Sequence, residues 1–522
     1  MPAPAKHPHS EGCRRGRSGA RTLAATIAVF VAAALASCAV GPDYQPPEAP
    51  LPAGFVAAGK SAATSVDPRV ASSTKWWRAL HDRELDSLID RAIAASPTLD
   101  IALNRLQQAR AQEVAIIGSA LPMLGASEGG ALGTGSDLGR GRAAQTLVSA
   151  ENGAGVSQIN NLVGFDAVWE IDVFGKYRRA IEAGQYDVDA AVAARNVVLI
   201  SLIADVTRAY LDLRALQTQL AVLRKNIDVA NKYVDFVRER FNRGITNELD
   251  VTLAQREQAQ LLAEVAPLVA QINAARYVIA VLIGEFPENL GNELARPAVL
   301  PALPARIRSG APIDLLRRRP DIVEAERLLA RANALIGVAT ADLFPSVAVT
   351  GSFGWQQGPN LVRAPINPIW SVGPAAAAPL LDFGRLDAFV EKADYREREL
   401  FYSYKETVLN AVREVDAAVE AYKAQQARLR HLADAVAAAR RAVTLATERF
   451  DRGLIDSLNV IDAERQEYAI EEQYVRAQRN AAEQLVTLYK SLGVGWEDYQ
   501  AFPPIAPPLP AVAAAFKSLL AR

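Results

Sequence analysis

One long element occurs twice in this chain. Glu239-Arg240-Phe241-Asn242-Arg243-Gly244 returns as Glu448-Arg449-Phe450-Asp451-Arg452-Gly453, and nine of eighteen positions from 239 to 256 are identical at a constant offset of 209. The same offset aligns Phe174-Gly175-Lys176 with Phe383-Gly384-Arg385, and Gly284 with Gly493. An offset that holds over such a length means two copies of one extended unit without insertions. Duplication of this kind points to a pseudo-symmetric assembly rather than to a single catalytic centre.

The repeated unit is built on a helix too long for a compact domain. Lys176 to Phe241 contains no proline, and an apolar seam steps by threes and fours through Leu199, Leu202, Val206, Ala209, Leu213, Leu216, Leu220, Leu223, Ile227, Ala230, Val234, Val237 and Phe241. This is heptad spacing of the coiled-coil type. Its copy runs from Val408 to Phe450 and is apolar or aromatic throughout except at Gln425. Each helix should be roughly 100 Å long, end at Gly244 or Gly453, and reverse into a return helix over 246–284 or 456–492. Shorter helices are expected over 98–121 and 321–344, bounded by prolines. A short helix and a return helix together match one long helix, so two broken helices stacked end to end could lie beside each continuous one. A further helical stretch is expected from Trp76-Trp77 to Ala95.

Between short and long helices the period changes to two. Val347, Val349, Gly351, Phe353 and Trp355 share a face, as do Val163, Phe165, Ala167, Trp169 and Ile171, and Trp370, Val372, Pro374, Ala376, Ala378 and Leu380. Asp166, Glu170 and Asp172 fall on the opposite face. The segment 123–133 alternates less cleanly, because Glu128 takes an apolar position. Four strands of about ten residues suit a tilted membrane crossing, with the Trp-bearing face to lipid and the acidic face lining a water-filled barrel lumen. Four strands cannot close, since about eight is the smallest barrel. The chain must therefore oligomerise, and three copies give twelve strands. The fold class expected is mainly α with a small β part: long coiled-coil α-barrel helices plus four strands per protomer in a trimeric 12-stranded β-barrel.

The N-terminus reads as an export signal. Arg14, Arg15, Arg17 and Arg21 precede a short apolar run, Thr22 to Ala36, which ends in Leu35-Ala36-Ser37-Cys38. That ending resembles a bacterial lipobox, so Cys38 is the expected lipidation site of the mature chain, and the covalent lipid is the only cofactor expected. Ala39 after it resembles an outer-membrane sorting signal. We divide the chain into a signal peptide (1–37), a lipidated tether (38–75), a first repeat (76–284), a linker (285–312), a second repeat (313–493) and a tail (494–522). No other stretch reaches eighteen apolar residues, so no transmembrane helix is expected. With 57 basic against 58 acidic residues and no basic block, no nucleic-acid partner is indicated.

Several separate motifs in order carry a family resemblance. Cys38-Ala39-Val40-Gly41-Pro42-Asp43-Tyr44, Trp76-Trp77, Trp169-Glu170-Ile171-Asp172-Val173-Phe174-Gly175, Arg317-Arg318-Arg319-Pro320-Asp321 and Pro379-Leu380-Leu381-Asp382-Phe383-Gly384 resemble the TolC-type outer membrane efflux proteins, in their NodT-like lipoprotein branch. The resemblance spans Cys38 to about Asp498. It implies a homotrimeric, passive exit duct of a tripartite pump in the outer membrane, extending into the periplasm. Its partners would be outer membrane lipid, a periplasmic adaptor (membrane fusion) protein and an inner-membrane transporter of the RND class. It implies a periplasmic gate with Leu458 as a hydrophobic constriction and Asp462 as a carboxylate ring, Leu249 and Leu253 standing at the matching places of the first copy. Arg449 and Arg240, just before the turns, are candidates for the ionic links that hold the gate shut. Arg243-Gly244-Ile245 and Arg452-Gly453-Leu454 look like tips that dock the adaptor.

Two rival classes can be weighed from the residues. An enzyme is disfavoured: the mature chain keeps only His81, His431 and one cysteine, with no phosphate loop, metal-ligand spacing or nucleophile elbow. A lipid-anchored periplasmic coiled-coil adaptor or scaffold would share the heptads and the anchor. Four strands of lipid-barrel parity, and duplication of the whole protomer, argue against it.

Overall fold

A computed structural model describes residues 39–47, 75–133, 158–290, 293–298, 300–303, 319–357 and 366–499. The signal segment, Cys38 and the tail beyond 499 lie outside them.

Proline and aspartate set the helix starts. Trp76–Leu80 forms a 3-10 turn, and His81 then takes a left-handed φ of 52°. The Asp82 carboxylate accepts the Glu84 and Leu85 amides at 2.9 and 3.3 Å and opens α1 (Arg83–Ala95). The stretch expected as one helix is thus split by an N-cap. Helix α2 (Pro97–Ser119) places proline in its first turn, where no amide is needed. After β1 (Met123–Gly133) and β2 (Gln158–Ile171), α3 (Lys176–Asn242) runs for 67 residues. The first return helix is not continuous as expected: it divides into α4 (Glu248–Ala263) and α5 (Val265–Leu282). Pro267 explains the break, because it lacks an amide and its ring crowds the carbonyl of Ala263, four residues earlier. The second copy follows as α6 (Pro320–Ala341), β3 (Ser346–Gln357), β4 (Ile366–Ala377), α7 (Arg385–Asp451, again 67 residues) and α8 (Ser457–Ser491).

The strands form one antiparallel sheet in the order β1-β2-β3-β4. Its register joins the apolar parities into a single face: Leu124 and Ala126 on β1, Phe165 and Ala167 on β2, Phe353 and Gly351 on β3, Trp370 and Val372 on β4. Glu128 pairs with Val163 in the β1–β2 register. Pro368 and Pro374 lie in β4, an edge strand of the protomer, where proline is tolerated. The strand ends at Ala377, short of Leu380.

Helix α3 is the spine. It packs against α2, α4 and α5 of its own copy and against α6 and α8 of the other. The heptad seam is what it buries: Leu199, Val206 and Leu213 are fully enclosed, and Leu223, Val234 and Val237 nearly so. Each such side chain contributes about 2 kcal/mol by leaving water. The broken helices stack end to end in both copies. A Cβ on Gly284 would lie 2.2 Å from the Ala95 carbonyl oxygen beside the start of α2, and one on Gly493 would lie 2.6 Å from Arg319 Cγ at the start of α6. Both positions have positive φ, 74° and 68°, so glycine alone meets both the conformation and the close approach.

Helix α7 packs chiefly on α8 and α6 and leaves its other side open. The protomer therefore has two free edges, β1 with α2 and β4 with α7. Windows of 18 residues in α3 and in the α4–α5 segment are apolar enough for a membrane span by length and composition alone, and 61% and 17% of them are buried in the protomer.

Candidate functional site

The junction between sheet and helices is held by the carboxylates expected to line a lumen. Asp172, one residue past β2, accepts the Tyr177 and Arg178 amides at 3.2 and 2.9 Å, satisfying orphan donors of the first turn of α3. Glu170 accepts the Tyr177 hydroxyl at 3.1 Å. Asp166 sits within the sheet, opposite Gly125 and Ser352 on the face away from Phe165. In the second copy Asp382 does what Asp172 does, accepting the Leu386 and Gly384 amides at 2.9 and 3.1 Å. These backbone donors hold its carboxyl below the usual range.

A strap formed by residues 39–47 follows the groove between α3 and α6. The Val40 amide donates to the Phe174 carbonyl at 3.1 Å. Arg179, almost buried, donates to the Val40 carbonyl at 3.3 Å, the Gly41 carbonyl at 3.4 Å and the Asp43 carboxylate at 2.6 Å. Tyr44 donates to Glu326 at 3.2 Å and meets Tyr186 edge-on at 5.9 Å. Gly41, at φ 95°, crosses Gly337 so closely that a methyl there would lie 2.4 Å from the Gly337 Cα. The Gly-Pro-Asp-Tyr motif is thus the sequence of a groove-bound strap that starts beside the sheet. The sequence reads this stretch as an extended tether, because the partners of the strap lie more than a hundred residues away.

The opposite end of the molecule collects the residues expected at a gate. Each tip closes in the same way: Gly244 and Gly453 amides donate to Phe241 and Phe450 carbonyls at 2.8 Å, and Ile245 and Leu454 amides donate to Arg240 and Arg449 carbonyls at 2.9 Å. These are helix-terminal glycine motifs. Arg243 pairs with Glu239 on its own helix. Ile245, Leu249, Leu454 and Leu458 are exposed, as is Arg452. Asp462 pairs with Arg465 one turn along α8, at 3.2 Å. Arg240 faces aromatic rings rather than a carboxylate: its guanidinium lies 5.2 Å from the Phe450 ring centre and 5.7 Å from that of Phe236.

Above the tips runs an ionic belt that sequence reading did not single out. Glu471 of α8 is buried between Arg440 of α7, at 2.6 Å, and Lys225 of α3, at 3.8 Å. Arg479 of α8 holds Asp212 of α3 at 2.8 Å. Burial pushes the Glu464 carboxyl up to about 7, and Glu467 beside it adds to the shift. Near mid-length, Arg214 of α3 is buried, donates to Glu84 of α1 at 2.5 Å and to the Arg296 carbonyl at 3.1 Å, and stacks on Tyr210 at 4.8 Å. Among the described residues no cluster with metal-binding composition occurs.

Long paired helices and a small sheet agree with three comparisons. The family model of the outer membrane efflux protein matches residues 88–285 and 311–494. Nodulation protein T of Rhizobium leguminosarum bv. trifolii is 30% identical over 470 residues, covering 90% of this chain and 96% of the relative. The pyoverdine export outer membrane protein OpmQ of Pseudomonas aeruginosa is 30% identical over 456 residues, covering 85% of this chain and 90% of that protein. Among solved structures, the outer-membrane channel OprN superposes with a TM-score of 0.77 at 32% identity, over 88% of this chain and all of that one. The chain belongs to the outer membrane efflux protein family and is an outer-membrane efflux channel.

Proposed function

We propose that three copies of this chain close into one passive duct that performs no chemistry. In this reading the duct is anchored by a lipid on Cys38 and coupled through an adaptor to an inner-membrane transporter of the RND class. One observation carries the trimer. Positions that the first repeat buries against the second are large, apolar and exposed in the second. Ala193 and Ile200 on α3 are 3% and 7% exposed, whereas their copies at offset 209, Tyr402 and Leu409 on α7, are 66% and 61% exposed. Phe174 stacks on Phe344 at 4.6 Å, whereas its copy Phe383 is 91% exposed. The face of α7 is prepared for what α3 already has: a neighbouring repeat. A second copy supplies it, because β1 with α2 is the free edge that complements β4 with α7. Three copies then close sheet and helices together, with twelve strands around a lumen.

The first test is a cysteine pair. Leu121 stands where Phe344 stands in the other copy, at an offset of 223. Leu121→Cys with Phe383→Cys should give cross-linked dimers and trimers on oxidation in membranes. Monomers alone would sink the trimeric closure. At the gate, Leu458 is the proposed constriction and Asp462 the proposed carboxylate ring, and the exposed aliphatic residues beside Gly244 and Gly453 form the adaptor contact. If Asp462→Ala left conductance and ion selectivity unchanged, that role of Asp462 would be lost.

A further inference from the structure

The tips carry an arginine–aromatic contact whose second half has no partner within one protomer. Arg240 of α3 lies over the rings of Phe236 and Phe450, which meet edge-on at 5.5 Å and 73°. Phe450 belongs to α7, so this contact ties the end of the first repeat to the end of the second. Both distances lie within the range in which a guanidinium is attracted by a ring. The motif that builds it is the repeated Glu-Arg-Phe, present at 239–241 and again at 448–450.

Offset 209 carries Phe236 to Leu445, Arg240 to Arg449 and, in reverse, Phe450 to Phe241. Inside one protomer these three do not assemble. Leu445 and Phe241 are each 42% exposed, and Arg449 is exposed as well. An exposed Phe at a helix end and an exposed Arg–Leu pair on the other free edge are the two separated halves of a contact the molecule already makes once. We propose that Arg449 and Leu445 of one protomer dock on Phe241 of the next, so that six arginine–aromatic contacts ring the closed periplasmic mouth, three within protomers and three between them. This rests on the trimeric closure proposed above. It gives Arg240 and Arg449 aromatic rather than carboxylate partners, and makes the mouth's closure less sensitive to salt than ion pairs would be. The between-protomer contact has Leu445 where the within-protomer contact has Phe236. It therefore holds one ring per cation instead of two and should part first.

The test uses the full-length lipidated chain in detergent and in bilayers. Wild-type protein is first sized to count subunits. Phe241→Cys with Leu445→Cys is then treated with a short bis-methanethiosulfonate and run without reductant. A trimer that yields dimer and trimer bands, and whose conductance falls on bridging and returns with reductant, supports the contact. A trimer that yields only monomer bands overturns it while leaving the trimeric closure standing. A wild-type chain that is monomeric overturns both. As a second measurement, Arg449→Ala removes all three between-protomer contacts and should raise the open fraction by about two- to fivefold per contact, so roughly ten- to a hundredfold where the three part together. Arg449→Lys should fall between it and the wild type, and the effect should persist from low to high salt. An effect that vanishes in high salt would mean a carboxylate partner and would overturn the aromatic one.

Discussion

Replacing Gly41 with alanine should release the strap from its groove while leaving the helices folded. The added methyl would lie 2.4 Å from Gly337 Cα and 3.0 Å from Gly337 N, both backbone atoms that no rotamer change can move aside. The φ of 95° adds strain for any L side chain. Seating is worth four hydrogen bonds: Val40 to Phe174 at 3.1 Å, Arg179 to Val40 and Gly41 at 3.3 and 3.4 Å, and Tyr44 to Glu326 at 3.2 Å. At about 1 kcal/mol net apiece these give about 4 kcal/mol. The Arg179–Asp43 pair adds only about 0.5 kcal/mol, because Asp43 is 88% exposed. Arg179 keeps Glu182 at 2.8 Å after release, so no lone charge is left behind. The ratio of seated to released strap should fall by about a thousandfold. Hydrogen exchange of the peptide containing Val40, followed by mass spectrometry on the purified channel, reads this directly. Gly41→Ala should strip most of its protection, and Gly337→Ala should do the same from the helix side, since its methyl would meet the Val40 carbonyl at 2.9 Å. Wild-type protection at Val40 in both variants would refute the packing reasoning.

Other perturbations have equally definite outcomes. Arg214→Ala removes the cation of a buried pair and should cost about 3 kcal/mol, at the low end for such pairs because Glu84 is 31% exposed; chemical denaturation would measure it. Glu464 should make the region above the tips pH-dependent. Its folded pKa lies above the unfolded value, so both states are neutral below about 4.5, stability falls as pH rises from 4.5 toward 7, and it levels off above 7. Glu464→Gln should flatten that fall in a melting-temperature series, and an unchanged slope would place the titration elsewhere. Pro267→Ala restores an amide and relieves the Ala263 carbonyl, so exchange at residues 263–267 should slow.

Much of the fold was legible because punctuation and periodicity are local. Pro97, Pro320, Gly175 and Gly384 mark helix starts, and Gly244 and Gly453 mark tips, so helix limits read from sequence fall within a few residues of those observed. Strand parity was legible for the same reason, and the register of β2 with β3 joins the faces predicted separately. What could not be read depends on contacts distant in sequence. The strap needs Gly41 to meet Gly337. The packing near mid-length needs Trp76 to stack on Tyr489 at 4.7 Å and Arg214 to reach Glu84. Arg240 looked like half of an ion pair because charge is visible in a sequence, whereas the rings it meets come from two different helices. The division of the return helix at Glu264 was legible in principle, since Pro267 names it.

The most direct test of a passive, gated duct is single-channel recording of the purified trimer in planar bilayers. Discrete openings are expected, infrequent in the wild type and more frequent when Arg240 and Arg449 are both replaced by alanine, with a cation preference that Asp462→Ala reduces. A trimer that inserts yet gives no discrete conductance, in the wild type and in the tip variants alike, would contradict it.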